Sequence, residues 1–441
     1  MITDINCMIK IYIKQAWRLI RQERLFSFVY IIGTGLAITL VMLLSIVFYV
    51  KIAPVYPESN RDRTLVLRYG KVNHEGGGYS SSRISNRLIQ DVIMPTDGLE
   101  AAAMTRDRES TFIQMESSPS QLPTVRMAVN DGFWKVFSFR FLEGKPFDEA
   151  DVKAALPVVV ISDQLAHRLF GEQEAVGKML SVNFEEFRVV GVVEEASYLH
   201  DRVYSQIWYP YTYDKDWEAS EISNEERNPG LGWFYCYPLV EDGLSVEKVR
   251  ERLRQRLTVY GNSLGDDREF STCGAPDLHW ESIFRYYSGV ELDIAGEITR
   301  YAIIFFFLLL VPAVSLSGLA DSRMERRLAE LGVRRAFGAR KGVLISQVLV
   351  ENLLYTLLGG VAGLLFSFIA AEFAKPWIFK IGSGFIDAIP DGVDVSLPLD
   401  GLFNPIVFAL ALLVCFLLNL MSALMPALRA SSRPITDSLN S

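Results

Sequence analysis

The chain has 441 residues, 50% of them hydrophobic and 22% charged, with a formal net charge of −8. That is too apolar for an average soluble enzyme and too charged for a chain lying wholly in a bilayer, so membrane spans joined to a sizeable soluble domain are expected. The acidic balance argues against a nucleic-acid binder.

In chain order, residues 1–25 read as a cytoplasmic amphipathic helix. Ile9, Ile13, Ala16, Trp17 and Ile20 share one face, and Lys10, Lys14, Arg18 and Arg21 run beside it. An apolar face with a cationic flank suits a helix in the membrane interface, or one packed on a protein partner. Phe26–Val50 is free of charge over 25 positions, and a transmembrane helix needs ~20. No small-x-small cleavage site follows it, so residues 26–50 read as a retained first span. The basic residues before it place the N-terminus in the cytoplasm.

Residues 51–296 carry no candidate span and an acidic excess. They read as a large extracytoplasmic α/β (α+β) domain. Strands are expected at Arg63–Arg68, Ala101–Thr105, Trp233–Val240 and Phe270–Thr272, and helices at Ser82–Met94 and Val246–Tyr260, the latter with Ser245 as N-cap. Between these halves lies a piece of its own, with strands Pro157–Ile161 and Phe187–Val193 and a helix through Leu169 capped by Ser162. The simplest account is a subdomain at 121–214 inserted between halves at 51–120 and 215–290.

Residues 297–320 hold a second charge-free run, Tyr301–Ala320, that leads back inward. A cytoplasmic segment follows at 321–343, a third span at 344–371, an outer loop at 372–402, a fourth span at 403–428 and a cytoplasmic tail at 429–441. Basic residues flank every inner end, so the fold class is an α-helical membrane protein with four transmembrane helices plus the outer α/β domain.

No catalytic constellation is present. The nearest P-loop match, Gly171–Lys178, has five residues between its glycines, and Met179 stands where a Ser or Thr would hold magnesium. The four histidines, His74, His167, His200 and His279, read as scattered surface residues, and no metal site is assigned. Cys236 and Cys273 share the outer domain, where an oxidising compartment would permit but does not require pairing. Glu351 sits near the start of the third span and is expected to pair with a nearby arginine. Gly359, Gly360 and Gly363 form a small-xxx-small pattern that lets another helix approach, and Asn419 is placed to bond across helices.

The inner segment Arg323–Lys341 carries six arginines and one lysine against two glutamates. Its apolar residues fall on two short helical turns broken at Gly332 and Gly338, which suits an element that docks on a partner. With no effector domain inside, two classes fit: a transporter subunit driven by a separate engine, or a receptor passing a signal inward. The runner-up is a receptor or a cell-wall hydrolase regulator.

These residues resemble the signature of FtsX-like permeases of ABC transporters: Glu325, Arg326, Glu330, Leu331, Gly332, Val333, Arg334, Arg335, Ala336, Phe337, Gly338 and Ala339, then Glu351, Gly359, Gly360 and Gly363, and at the chain end Pro426–Pro434. The outer stretches Val129–Phe147, Val158–Gly171, Ala175–Leu180 and Phe187–Glu195 resemble the periplasmic core of MacB-type permeases, whose porter and sabre subdomains would correspond to the halves and the insertion. The resemblance implies a non-catalytic inner-membrane permease that works as a homodimer or heterodimer. MacB-type chains carry an ATPase domain before their first span, and only about 25 residues stand there in this chain; a separate cytoplasmic ABC ATPase subunit, binding ATP and Mg, is therefore implied. Residues 330–339 would couple to it, motion would pass outward by mechanotransmission, and a periplasmic adaptor and outer-membrane channel are further partners to be sought. Efflux or export of antibiotic, peptide, toxin or lipoprotein-like substrates would be the outcome.

Overall fold

The computed structural model describes residues 12, 14–18, 20–114, 121–198, 200, 202–214, 216–265, 268–307, 310, 337, 341–382, 405–406, 408–417 and 420. The chain divides into a helical unit, residues 1–49, 295–378 and 397–441, and a large unit, residues 50–294 with 379–396.

In the helical unit the described positions between 12 and 22 form helix α1, and a bend at Glu23 separates it from α2, Arg24–Ile52. At 1.5 Å per residue, the 29 residues of α2 exceed the ~30 Å of a bilayer core. Later helices in this unit begin at 294 and run to 307, occupy Lys341–Gly382, and cover the described positions from 405 to 417. Among the described residues two helices are long and apolar enough to cross a membrane, Arg24–Leu44 and Leu349–Phe373, and a shorter apolar helix runs over Phe408–Leu417. The second and fourth expected spans fall partly outside the described residues. The third coincides with the apolar stretch Leu349–Phe373, within a longer helix. Its helix continues past Glu372 and Pro376 to Gly382, through part of the expected outer loop. One proline removes one i→i−4 hydrogen bond and does not by itself end a helix of 42 residues.

Among the described residues the large unit contains fifteen strands: β1 Leu65–Val66, β2 Gly70–His74, β3 Tyr79–Ile84, β4 Leu99–Thr105, β5 Glu109–Gln114, β6 Gln121–Val129, β7 Phe141–Gly144, β8 Val158–Ser162, β9 Met179–Val182, β10 Glu185–Val193, β11 Ile207–Pro210, β12 Leu231–Gly232, β13 Tyr235–Val240, β14 Arg268–Ser271 and β15 Asp277–Leu278. The main sheet runs β11-β8-β10-β9-β5-β6-β4-β13, with β7 on β10. Because β11 pairs β6 in parallel as well as β8 in antiparallel, six strands close a ring. Closure removes the exposed edges that a strand-rich domain must otherwise protect. The ring takes β5 from upstream of residue 121, so segment 121–214 does not form a sheet of its own. Where the ring meets the loops, Trp134 packs edge-on to Phe139, Phe147 and Trp208.

A second sheet, β12-β3-β2-β14, packs under the 18-residue helix Val246–Ser263, and β1 pairs with β15. Val249, Leu253 and Leu257 are the buried face of that helix, as its 3.6-residue period requires. Ser245 occupies its N-cap position without a side-chain cap bond; its carbonyl serves instead, accepting from Lys248 and Val249. Ser162 does cap its helix, accepting from Leu165 N at 3.3 Å.

The expected helix Ser82–Met94 needs correction. Ser82–Ile84 finish β3, Ser85 is the N-cap, and the helical turns run from Asn86 to Ile93. Ile84 fits both a helical and a strand pattern, and its pairing with Leu231 decides for the strand. Cys236 and Cys273 are both buried and both free thiols; burial pushes each up in pKa.

Candidate functional site

Of the residues expected to couple to an ATPase, Glu330, Leu331, Gly332, Arg334, Arg335, Ala336, Gly338 and Ala339 lie outside the described residues. Phe337 is described, and is 89% exposed in a turn. Asn419 is also outside. Gly171–Lys178 ends a helix and turns into β9, with Gly171 at the helix C-cap. A phosphate loop needs the opposite polarity, a loop opening a helix, so this segment offers no anion cradle.

The helix Lys341–Gly382 meets two neighbours through its glycines. A Cβ on Gly363 would lie 2.6 Å from the Gly35 carbonyl oxygen, and one on Gly359 would lie 2.7 Å from Thr34 Cβ. Both therefore face α2. Gly360 faces the other way, toward the Leu412 side chain. Thr39 Oγ1 lies 2.8 Å from Gly35 O and 3.0 Å from Gly363 O, so one hydroxyl is shared across the seam. One end of the seam is aromatic: Tyr30 and Tyr355 rings lie 5.2 Å apart, and the Tyr355 hydroxyl is 3.0 Å from Ser27 Oγ. Glu351, one turn from Tyr355, is buried. Lipid supplies no hydrophobic drive between helices, so a seam of this kind rests on close backbone contact and shared hydrogen bonds.

The large unit holds a second constellation, which the sequence did not reveal. Glu58 follows α2 by six positions, and it is buried with Arg61, His200 and His279 around it. Arg61 Nε donates to Glu58 Oε2 at 2.9 Å, and Arg61 Nη1 donates to Ala53 O at 2.6 Å. His200 Nδ1 lies 3.0 Å from Glu58 Oε1, and His279 Nε2 lies 3.0 Å from Glu58 Oε2. A carboxylate can only accept, so His279 Nε2 presents its proton to it; His200 Nδ1 also lies 3.1 Å from Arg61 Nη2, which can only donate, so that nitrogen is shared between the carboxylate and the guanidinium. His279 then keeps a bare Nδ1, which is buried without a partner. Burial alone would raise Glu58, but the Arg61 charge and the two imidazole hydrogen bonds outweigh it and hold Glu58 well below the usual carboxylate range. Burial pushes His279 the other way, to about 4, against the pull of Glu58.

Two further buried ion pairs adjoin this cluster in sequence. Arg285 grips Asp277 with both ends of its fork, at 2.6 and 2.8 Å, and Arg250 meets Glu281 at 3.2 and 2.5 Å. Arg202 donates to Ser282 Oγ at 2.8 Å, and Ser282 Oγ donates to His279 O at 2.6 Å. The segment leaving α2 and the segment leading to the helix at 294–307 are thus bound to one another through Glu58 and His279. Isolated buried charges are costly unless each is paired and hydrogen-bonded, and in this cluster they are. A junction of this kind resists separation of its two strands. Its members are all buried, so they present no open face to a substrate. Among the described residues no metal-ligating cluster occurs.

A lone acidic pair lies elsewhere in this unit. In the helix Asp216–Arg227, Glu221 accepts from Asn86 N through Oε1, Glu225 accepts from Gly230 N at 3.1 Å, and both Oε2 atoms are buried without a partner. Burial, opposed by the Asn86 N–H and reinforced by Glu225, lifts Glu221 to about 7. A carboxyl raised in the folded state contributes stability that is full below its unfolded value of 4.5 and is lost as pH rises through about 7. Glu221→Gln, which keeps the acceptor, should remove that loss. Thermal unfolding of wild type and variant at about pH 5 and about pH 8 checks it: the wild type should lose a few degrees between them and the variant should not.

The sequence matches the model of the MacB-like periplasmic core domain over residues 27–256 and that of the FtsX-like permease C-terminal domain over residues 302–435. It is 20% identical over 307 residues to the uncharacterized ABC transporter permease YknZ of Bacillus subtilis, covering 69% of this chain and 72% of that one. It is 25% identical over 260 residues to the macrolide export ATP-binding/permease protein MacB of Chromobacterium violaceum, covering 57% of this chain and 36% of that one. The chain therefore spans about a third of the length of the MacB relatives it matches. Among solved structures it is similar to the periplasmic region of MacB from Actinobacillus actinomycetemcomitans, at 14% identity, 46% of this chain, 88% of that one and a TM-score of 0.31. A domain of a putative permease from Porphyromonas gingivalis gives 18% identity, 48%, 90% and 0.35. The chain belongs to the family of membrane-embedded permeases in which a MacB-like periplasmic core domain is joined to an FtsX-like permease domain.

Proposed function

We propose that this chain is the membrane-spanning subunit of an ABC transporter of the MacB and FtsX type, moved by ATP and Mg bound to a cytoplasmic ATPase subunit. In this reading it crosses the inner membrane four times, with both termini cytoplasmic and residues 51–296 periplasmic. Two permease chains act together, alike or related. ATPase closure displaces the inner ends of the helices through residues 330–339. The large unit converts that displacement into work on a substrate outside, which is an antibiotic, peptide, toxin or lipoprotein-like molecule handed to a periplasmic adaptor and outer-membrane channel.

The observation that carries the reading is the buried junction at Glu58, Arg61, His200 and His279. It ties together the two segments that connect the large unit to helices on either side in sequence. A part that receives a push needs stiffness at its attachment points, whereas a ligand sensor needs an open pocket. The lack of a phosphate cradle at Gly171–Lys178 adds that this stretch is not the engine.

Arg334→Glu and Arg335→Glu test the coupling role. With the ATPase subunit reconstituted beside the chain, either variant is expected to weaken co-purification and reduce stimulated ATP hydrolysis about tenfold, the order of one lost charge-assisted contact. An unweakened complex with normal stimulation would overturn the assignment. Recovery of a kinase instead of an ATPase from native membranes would favour a receptor.

A further inference from the structure

Helix α1 departs from the face its sequence presents at one described residue, Trp17. Tyr12 and Ala16 are buried, and Ile20 packs against the Tyr30 and Tyr355 pair. Trp17, which the periodicity groups with Ala16 and Ile20, turns outward and is 47% exposed. Around it stand Lys14, Arg18 and Arg21, all exposed, with the Arg21 guanidinium 5.8 Å from the Trp17 ring centroid. Beyond the bend, Arg24 is exposed too, and the same chain continues into Leu25 at 79% and Phe28 at 63% exposure. Among the described residues no carboxylate pairs with Lys14, Arg18, Arg21 or Arg24.

This combination is chemically specific. A tryptophan flanked by cations, next to apolar side chains at the mouth of a span, matches the headgroup layer, where an aromatic body is half-wet and cations find phosphate oxygens. Water alone would leave the apolar Trp17 ring, Leu25 and Phe28 as uncovered apolar surface beside the cations, and an ordinary acidic protein surface would cover the cations but not Leu25 and Phe28. We infer that the Lys14–Trp17–Arg18–Arg21 face of α1 seats the phosphate of anionic phospholipids, binding the chain to the charged leaflet beside its first span. The inference rests on α2 crossing a membrane and is independent of what the permease transports. Each cation near an anionic surface contributes roughly a fivefold preference, so three give on the order of a hundredfold for a phosphatidylglycerol surface over a zwitterionic one.

The test uses the full chain in nanodiscs of phosphatidylcholine with a low fraction of brominated lipid. The Trp17 signal is the difference in emission between wild type and Trp17→Phe. Brominated phosphatidylglycerol should quench that difference signal much more strongly than brominated phosphatidylcholine at the same fraction. The combined variant Lys14→Gln, Arg18→Gln, Arg21→Gln should bring the two to equality; these side chains are exposed, and an unchanged unfolding temperature verifies the fold. Equal quenching by both lipids in the wild type overturns the inference, as does no quenching by either. Abolition of the preference by inorganic phosphate would assign the site to the free ion and overturn the lipid source. Loss of quenching when the ATPase subunit is added, with Trp17 shielded, would make the face a protein contact and overturn it equally. None of these results bears on ATP-driven transport, which the arginine variants of the inner segment test separately.

Discussion

Glu58→Gln is expected to destabilise the large unit by about 3–5 kcal/mol, the range for breaking a buried ion pair from one side. The amide still accepts, but it no longer balances Arg61, whose guanidinium stays buried and held to Ala53 O. For a unit of this size that corresponds to a fall of about 10 °C in unfolding temperature. Combining Glu58→Gln with Arg61→Met removes the stranded charge and should recover part of the loss, because replacing both members of a buried pair is much milder than replacing one. Acid should act on the same cluster. His279 sits near 4 in the fold against 6.5 free, so its contribution is present above 6.5 and is lost as pH falls toward 4. Glu58 is also depressed, so its contribution is present above 4.5 and is lost below that. Both losses run the same way. Unfolding temperature should begin to drop near pH 6, and His279→Gln should remove the upper part of that drop. A Glu58→Gln chain that unfolds at the wild-type temperature would show that the junction does not hold the two segments.

Much of the architecture was legible because it follows from period and composition. The charge-free run Phe26–Val50 became α2, and PVVVI at 157–161 became the buried strand β8. Val246, Val249, Leu253 and Leu257 became one helical face, with the last three fully buried in the fold. What escaped was long-range. His200 and His279 are 142 and 221 positions from Glu58 in the pairs they form. No local pattern encodes such a meeting, and a lone histidine among loops reads as solvated. The same limit hid β3: Tyr79-Ser-Ser-Ser-Arg-Ile is too polar to read as a strand, and only its pairing with β2 makes it one. In α1 the period was right and Ala16 and Ile20 of the expected face do pack inward, but Trp17 at its edge turns outward while Tyr12 is buried, since a broad apolar arc can bury either of its edges. The glycines of the long inner helix were legible as a close-packing set, but the sequence did not assign Gly359 and Gly363 to one neighbour and Gly360 to another.

That division gives the second large effect. Gly363→Ala places a Cβ 2.6 Å from the Gly35 carbonyl oxygen and 2.9 Å from Ile38 Cβ. Neither neighbour is the tip of a flexible chain. The backbone of α2 must move, and the Thr39 hydroxyl must release Gly363 O, now 3.0 Å away. Overpacking of this kind is typically worth about 1–3 kcal/mol, and Gly363→Leu should exceed it. Gly360→Ala makes a contact of the same length, 2.6 Å, but with Leu412 Cδ1, which can rotate aside. Distance alone would rank the two alanine variants together, whereas the mobility of the neighbour separates them. Unfolding of the purified chain in detergent should therefore follow the order wild type, Gly360→Ala, Gly363→Ala, Gly363→Leu, with the largest step at Gly363. Under the transporter reading, stimulation of the partner ATPase should fall in the same order, because a helix pair that cannot close cannot carry a push between its ends. Equal unfolding temperatures for Gly360→Ala and Gly363→Ala would show that the seam is held by something other than the backbone contact at Gly35, and the shared Thr39 hydroxyl would be the next group to remove.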